Sequence, residues 1–343
     1  MIKVGIIGCG KIAQVRHIPE YLENSETQLT ALFDFNTGRA RDLAARYGVR
    51  ACDSIEELLS IPDLDAVSIC TANMAHAENT LAALEAGKHV LCEKPMATTI
   101  EDCERMVQKA REKGLVLMID QNQRLAPAHQ KARELIAQGA IGRVLTFRTT
   151  FGHGGPETWS IDPGTASWFF DRSKSAMGAL ADLGVHKTDL IQYLLNQKVR
   201  AVTARVTTLD KRDARGQLVG VDDNAVCIYE MDGGAVGSMT ASWTYYGAED
   251  NSTVIYGDKG ILKIYDSPDY ALRIVGRTGE VITYELGQIQ TNDHQTSTGI
   301  IDAFAAAILG QQQNLIDGAD VLQAMRAVFA CLKSSDEGRR IEI

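Results

Sequence analysis

Short apolar runs at residues 2–7, 29–33, 66–70, 89–92 and 115–119 punctuate the first third of the chain, and the segments between them carry apolar residues at helical spacing. Runs of this length, bounded by turn-forming residues, read as fully buried strands. Buried strands alternating with helices require right-handed parallel crossovers, so the pattern predicts a doubly wound α/β sheet. The alternation stops soon after Asp120-Gln121-Asn122-Gln123-Arg124, which places a boundary near residue 123.

Beyond that point a helix from Pro127 to Gly139 leads into strand-like segments at 144–151, 199–209, 225–231, 235–243, 253–256 and 261–265. Asp232-Gly233-Gly234 and Gly257-Asp258-Lys259-Gly260 have the composition of hairpin links, which makes the flanking strands antiparallel neighbours. At 343 residues the chain is expected to hold two cores, since one core typically takes about 150 residues. The expectation is a parallel α/β domain at 1–122 and a second α/β domain at 123–343 built on a large, mainly antiparallel open sheet. Helices near 298–310 and 318–333 end the chain and are candidates to pack back on the first domain. No Pro/Gly/Ser-rich linker marks the join, so direct packing with a site in the crevice is expected.

The first strand runs into Gly8-Cys9-Gly10-Lys11-Ile12-Ala13, a G-x-G-x-x-A between strand and helix. Gly8 permits the tight turn, Gly10 lets backbone approach a pyrophosphate, and Ala13 lets the helix lie close to the sheet. Lys11 and Ile12 open the helix whose N–H groups hold phosphate. Alone, this motif is a common glycine turn. Asp34, however, ends the next strand 21 positions past Ala13, near the roughly 20 expected of a ribose-binding acid. An acid there accepts from both ribose hydroxyls of NAD and repels the 2′-phosphate of NADP. NAD is therefore the expected cofactor and NADP the lesser one, because Arg39 and Arg41 follow on the next helix and are able to neutralise a phosphate.

In an open parallel sheet, ligands gather beyond the carboxyl ends of the strands. Glu93-Lys94-Pro95 stands at such an end, behind His89-Val90-Leu91-Cys92, and Pro95 biases Lys94 towards an extended backbone that fixes where its ammonium points. Lys94 is thus a catalytic candidate, against the competing reading of a solvated surface pair. Thr71, Asn73 and His76 follow another strand and are expected to face the cofactor or to cap the helix behind them. Thr98 with Glu101, and Ser54 with Glu57, read as capping boxes.

A second chemical signal lies in the other half. Asp182, His186 and Asp189 are spaced four and three residues apart in an apolar stretch, which places all three near one helix face. Three readings compete. A histidine satisfied by Asp182 or Asp189 at a helix start is structural. A metal site lacks the usual H-x-x-x-H or cysteine set, so no metal is expected. Acid/base catalysis is the third.

The bulk composition narrows the classes further. With 45% hydrophobic and 23% charged residues the chain looks soluble and globular, and a net charge of -9 offers no reason to bind nucleic acid or an acidic membrane. Seven cysteines, an odd number without a C-x-x-C pair, argue against a disulfide framework. Neither a signal-type N-terminus nor an apolar run of about 18 residues occurs, which predicts a cytoplasmic protein with no membrane span.

Gly8-x-Gly10-x-x-Ala13, Glu93-Lys94-Pro95 and Asp182-x-Gly184-x-His186-x-x-Asp189, in this order over essentially the full length, make the sequence resemble the Gfo/Idh/MocA oxidoreductases, the glucose-fructose oxidoreductase and inositol dehydrogenase family. The resemblance implies a Rossmann domain followed by an α/β domain whose open sheet often makes homodimer or homotetramer contacts. It also implies Lys94, Asp182 and His186 as the catalytic set, with Asn73, His76, Glu93 and Lys94 around the nicotinamide ribose. Ala176-Met177-Gly178 departs from the run of glycines that members often show, and Met177 is expected to narrow the pocket.

On this reading the chain is an NAD-dependent dehydrogenase oxidising a ring hydroxyl of a sugar, sugar derivative or cyclitol. His186, an imidazole with an ordinary pKa of about 6.5, removes the hydroxyl proton. Lys94 stabilises charge developing on the same oxygen. Asp182 holds a neighbouring hydroxyl or orients His186. Arg124, His153, Trp159, Trp168 and Arg172 are candidates to line a polyol pocket, Trp168 and Arg172 foremost, although Trp168 and Phe169 read equally as core. Two further classes are open by resemblance: an NAD-retaining, redox-assisted glycoside hydrolase and a non-catalytic dinucleotide-sensing regulator. The retained proton-transfer set argues against the regulator.

Overall fold

The computed structural model describes residues 1–289 and 297–343. The chain divides into two compact units, Met1–Asn122 with Asp293–Leu322, and Gln123–Asn292 with Gln323–Ile343. No helix among the described residues is long and apolar enough to cross a membrane.

The first unit is built on six strands, β1 (Ile2–Ile7), β2 (Thr27–Phe33), β3 (Arg50–Ala51), β4 (Ala66–Ile69), β5 (His89–Cys92) and β6 (Leu117–Ile119). All pairings are parallel, in the order β3-β2-β1-β4-β5-β6. This is the doubly wound sheet that the apolar runs predict, and its order reverses between β1 and β4, where such sheets bind ligands. The central strands are buried on both faces, which is why β4 and β5 read as continuous apolar runs rather than alternations. β3, only two residues long, carries no period to recognise.

Helices α1 (Ile18–Glu23), α2 (Thr37–Tyr47), α3 (Ile55–Leu59), α4 (His76–Glu85) and α5 (Ile100–Lys113) lie between the strands. Ser54 caps α3 as expected, accepting from the Glu57 N–H at 3.0 Å. The cap of α5 corrects the sequence reading: Thr99, not Thr98, accepts from the Asp102 N–H at 3.1 Å, so the capping pair lies one residue later. The late segment of this unit runs beside β6, where the Ile119 N–H donates to the Ile316 carbonyl at 3.2 Å and Asn314 Nδ2 donates to the Leu117 carbonyl at 3.0 Å.

The second unit carries β7 (Val144–Gly152), β8 (Val199–Thr207), β9 (Asn224–Met231), β10 (Val236–Ser242), β11 (Thr253–Gly257), β12 (Gly260–Ser267), β13 (Tyr270–Gly276), β14 (Val281–Tyr284) and β15 (Ile341–Glu342). Their order is β14-β13-β12-β11-β7-β10-β9-β8-β15, antiparallel throughout except where β7 pairs with β10. The Asp232-Gly233-Gly234 link closes the β9–β10 hairpin through Gly234 N–H to the Met231 carbonyl at 3.0 Å. β14 escaped the sequence reading because it buries neither face and so shows no alternation. Helices α6 (Pro127–Ala137), α7 (Arg172–Ser175) and α8 (Val185–Leu195) belong to this unit, and a π-turn, Leu180–Gly184, leads directly into α8.

Candidate active site

β1 ends in a turn that only glycine can make. Gly8 has φ 97°, and a Cβ there would stand 2.6 Å from the Cys70 carbonyl group, where β1 leaves the sheet beside β4. At Gly10 a Cβ would meet nothing within 4 Å, so that face of the turn is open to a phosphate. Lys11 and Ile12, both half-buried, lead into a π-turn, Ala13–His17, that continues as α1. The glycine positions thus fit a dinucleotide.

Asp34 follows β2 with its carboxylate already oriented: Oδ2 accepts from the Cys9 N–H and Oδ1 from the Asn36 N–H, each at 2.7 Å. Arg39 Nη1 lies 3.9 Å from Oδ2. Acid and arginine therefore share one corner, beside an open pocket lined by Gln14, Asn36, Gly38, Arg39, Asp42 and Arg46.

Behind β4, none of Thr71, Asn73 and His76 caps α4, whose cap position is held by Ala75. His76 instead turns inward, with Nδ1 2.7 Å from the Pro95 carbonyl and Nε2 3.0 Å from the Thr71 carbonyl. Burial pushes its pKa below the ordinary value, so the ring is neutral and donates to one carbonyl at a time. It ties the segment after β4 to the segment after β5. There the Lys94–Pro95 peptide is cis, and buried Glu93 accepts from the Lys94 N–H on Oε2 at 3.2 Å.

In the second unit Asp182 lies in the π-turn and His186 in the first turn of α8, both buried. Asp182 Oδ2 accepts from Trp243 Nε1 at 3.0 Å, and the His186 ring stands 6.2 Å from Phe151. Asp189 is engaged by Arg124 through two parallel bonds, Nε to Oδ2 at 2.7 Å and Nη2 to Oδ1 at 2.6 Å. A carboxylate that is 1% exposed requires such a cation. Arg124, expected at a substrate, thus spends two of its donors bracing α8.

Asp222 holds the start of this helical segment. Its carboxylate accepts from the Gly178 and Leu180 N–H groups at 2.7 Å each, and its carbonyl accepts from the Ala179 N–H at 2.9 Å. A Cβ on Gly178 would fall 1.8 Å from the Asp222 carbonyl oxygen, so the last member of Ala176-Met177-Gly178 has to be glycine. Met177 is buried.

Trp168 and Phe169 are half-buried and stacked, with ring centroids 3.9 Å apart. Phe169 continues to Trp159 at 5.3 Å, and Trp159 to His153 at 6.3 Å, forming a run of rings. Arg172 is exposed at the start of α7. Sequence reasoning missed Trp243 and Asp222 because each acts on the Asp182 segment from more than forty positions away. Their only signal is a tryptophan and an aspartate at the edges of predicted strands.

Residues 2–121 match the Gfo/Idh/MocA oxidoreductase family with its NAD-binding Rossmann fold, and residues 129–263 match the GFO/IDH/MocA C-terminal domain. The chain is 30% identical over 348 residues to the 1,5-anhydro-D-fructose reductase of Ensifer adhaerens, covering 100% of this chain and 99% of that protein. It is 28% identical over 355 residues to the D-glucoside 3-dehydrogenase of Escherichia coli strain K12, with coverages of 100% and 97%. Among solved structures, levoglucosan dehydrogenase in complex with NADH and levoglucosan matches with a TM-score of 0.88 at 26% identity, covering 100% of this chain and 99% of that one. Glycine turn, strand order and both domain matches agree: the chain belongs to the Gfo/Idh/MocA family of NAD-binding oxidoreductases.

Proposed function

We propose that the protein is an NAD-dependent dehydrogenase that oxidises a ring hydroxyl of a sugar, sugar derivative or cyclitol to a ketone. The observation that carries this reading is the buried Asp182–His186 helix start, clamped by Asp222 and by Trp243, in a chain whose full-length relatives are named for sugar reduction and oxidation. His186 acts as general base on the substrate hydroxyl. Lys94 stabilises charge developing on the reacting oxygen, and Asp182 holds a neighbouring hydroxyl. Gly8, Gly10, Lys11, Ile12, Asp34, Arg39, Thr71, Asn73, His76 and Glu93 hold NAD, which when bound supplies the hydride acceptor. Arg124, Trp168 and Arg172 line the substrate side.

The test is a panel of sugars and cyclitols with NAD, and NADP in parallel, read as reduced cofactor. Turnover by the parent, with Lys94→Ala and His186→Ala each losing at least about a hundredfold while NADH still binds, is expected. Free sugar released without net NADH would instead identify a redox-assisted glycoside hydrolase, and NADH binding without turnover a regulator. Assembly as a homodimer or homotetramer through the open sheet belongs to the same proposal. Val226 and Ile228 on β9 and Val236 on β10, 55%, 50% and 44% exposed, support it, since they share the outer face of two paired strands.

A further inference from the structure

The first unit holds a buried group of charges of which the dehydrogenase reading uses only Glu93. His17, the last residue of the π-turn before α1, is fully buried. Its Nε2 lies 3.1 Å from Glu93 Oε1 and 3.5 Å from Asp120 Oδ2. Its Nδ1 lies 3.1 Å from Ser68 Oγ, which the Tyr21 hydroxyl meets at 2.7 Å. Glu93 in turn accepts from the Lys94 N–H on its other oxygen, and Arg16 Nη1 stands 3.8 Å from Asp120 Oδ2. A continuous polar path thus runs from the helix behind the glycine turn to the backbone of Lys94.

The charge states along this path follow from burial and pairing. Burial alone would strip His17 of its proton, but the Glu93 and Asp120 carboxyl groups on Nε2 outweigh it and hold the imidazolium well above its ordinary pKa, while the Cys70 thiol, itself raised by burial, is uncharged there. Burial equally disfavours Glu93 as an anion, yet His17, with Arg16 and Lys94, keeps it ionised well below the usual carboxylate range. Asp120 moves the other way, raised by burial and by the Glu93 charge. His17, Glu93 and Asp120 stand close enough to surround a cation. Arg16 already brings positive charge to Asp120, and the proton on His17 supplies the rest.

We propose that His17 is a positioning residue for the cofactor: as the buried cation beside Glu93 it keeps that carboxylate aimed at the Lys94 N–H, and so fixes the turn that carries Lys94. The inference rests on the reading that Glu93 and Lys94 hold the nicotinamide end of NAD. Lysine is thereby set in place by a residue on the phosphate-binding helix, so the two ends of the cofactor site are coupled through one imidazole. The other titratable groups that face Glu93 or His17 are Arg16, Glu20, Tyr21, Cys70, His76, Cys92, Lys94 and Asp120. With His17 neutralised, Arg16 and Lys94 are the cations left beside Glu93, so burial is opposed less and its protonation moves up in pH.

The experiment compares the parent with His17→Gln, Glu93→Gln and the double variant, measuring NADH dissociation constants from about pH 5 to about pH 9 together with melting temperatures. NADH binding is read directly, so the outcome does not depend on the sugar reading. His17→Gln is expected to weaken NADH at least about tenfold near pH 6 and to recover as the pH rises and Glu93 ionises again. The double variant is expected to bind within about twofold of Glu93→Gln, because both substitutions act through one carboxylate. Parent-like affinity of His17→Gln at every pH, a loss that ignores pH, or single losses that multiply in the double variant would overturn the proposal. Should His17→Gln fail to fold, a folded double variant supports charge pairing, and an unfolded one assigns His17 to packing and overturns it. A parent without NADH affinity would remove the nicotinamide reading itself, a result distinct from a parent that binds and a His17→Gln that binds equally well.

Discussion

Trp243 Nε1 donates to Asp182 Oδ2 across 61 positions of sequence, at 3.0 Å, so one oxygen of that carboxylate is set by the core of the sheet. Trp243 is itself fully buried, edge-on to Phe169 at 6.3 Å and tilted against Phe170 at 5.9 Å. Trp243→Phe keeps an aromatic ring in place and deletes the donor. A buried acceptor that loses its donor costs about 1–3 kcal/mol. If Asp182 serves the reaction, turnover falls about tenfold, the equivalent of ~1.4 kcal/mol, while NADH affinity in the other unit stays put. Measuring kcat and NADH binding side by side decides it, and a parent-like kcat would detach Asp182 from the chemistry.

The Arg124–Asp189 pair makes a stability prediction. Both groups are buried and matched by two bonds, so removing one partner strands a charge. Arg124→Met is expected to cost about 3–5 kcal/mol, and Arg124→Met with Asp189→Leu to recover most of it. The thermal unfolding transition of the second unit reports this directly. Equal losses in the single and double variants would show that side-chain shape, not charge, is what matters there.

On the proposed reading, cofactor choice rests on Asp34 and Arg39, which stand 3.9 Å apart at one corner. Asp34→Ser removes the charge that repels a 2′-phosphate, retains a hydroxyl for the backbone donors of Cys9 and Asn36, and leaves Arg39 unopposed. The ratio of kcat/KM for NADP over NAD is expected to rise at least about tenfold, or ~1.4 kcal/mol, and Arg39→Ala on that background to reverse the gain. A ratio unmoved by Asp34→Ser would place the discrimination elsewhere.

What was legible in the sequence follows from the range of the forces involved. β1, β4 and β5 are apolar because both faces are buried, a local property, and their parallel direction follows from the helical crossovers between them, whereas the order in which they pair does not. Gly8 and Gly10 mark a turn whose constraint lies within a few residues. Thr98 was mistaken for Thr99 because either threonine has an acid three residues later, and only backbone geometry separates them. β15 is a two-residue strand whose partner, β8, lies some 140 positions earlier, so no local pattern announces it. The supports of the candidate site are equally non-local: His17 reaches Glu93 across 76 positions and Arg124 reaches Asp189 across 65. Residue type named Asp182, His186 and Lys94. Only the fold reveals what holds them.

Lys187 and His129, both fully buried in the second unit, titrate against folding, and the sign can be worked out for each. Burial pulls Lys187 down to about 7, against the opposing charges of Asp250 and Glu249, and its Nζ donates to the Asn251 carbonyl at 2.9 Å. An unfolded lysine titrates near 10.4. Between these values the unfolded chain binds a proton that the folded chain does not, so this lysine makes stability rise with pH, by at most ~1.4 kcal/mol per pH unit. Burial, then the Lys187 charge, push His129 down to about 3 while its Nδ1 N–H donates to the Gln123 carbonyl at 2.7 Å. Against an unfolded value near 6.5, stability from this group also rises with pH, from about 3 to about 6.5. Buried thiols oppose the trend at the alkaline end. Burial holds Cys9 and Cys103 up to about 12, so above about 8.5 the unfolded chain loses protons that the folded one keeps. The parent melting temperature is therefore expected to climb just above about pH 7, where the lysine acts almost alone, and to fall above about pH 8.5, where Cys9 and Cys103, joined by the buried Cys70, Cys92 and Cys227, outweigh one lysine. Lys187→Met removes the lysine contribution and leaves the thiols, so its melting temperature should lack the climb above about pH 7 and decline as the pH approaches and passes about 8.5. Parallel pH profiles for parent and Lys187→Met would mean that the buried ammonium keeps its proton and that folding does not discharge it.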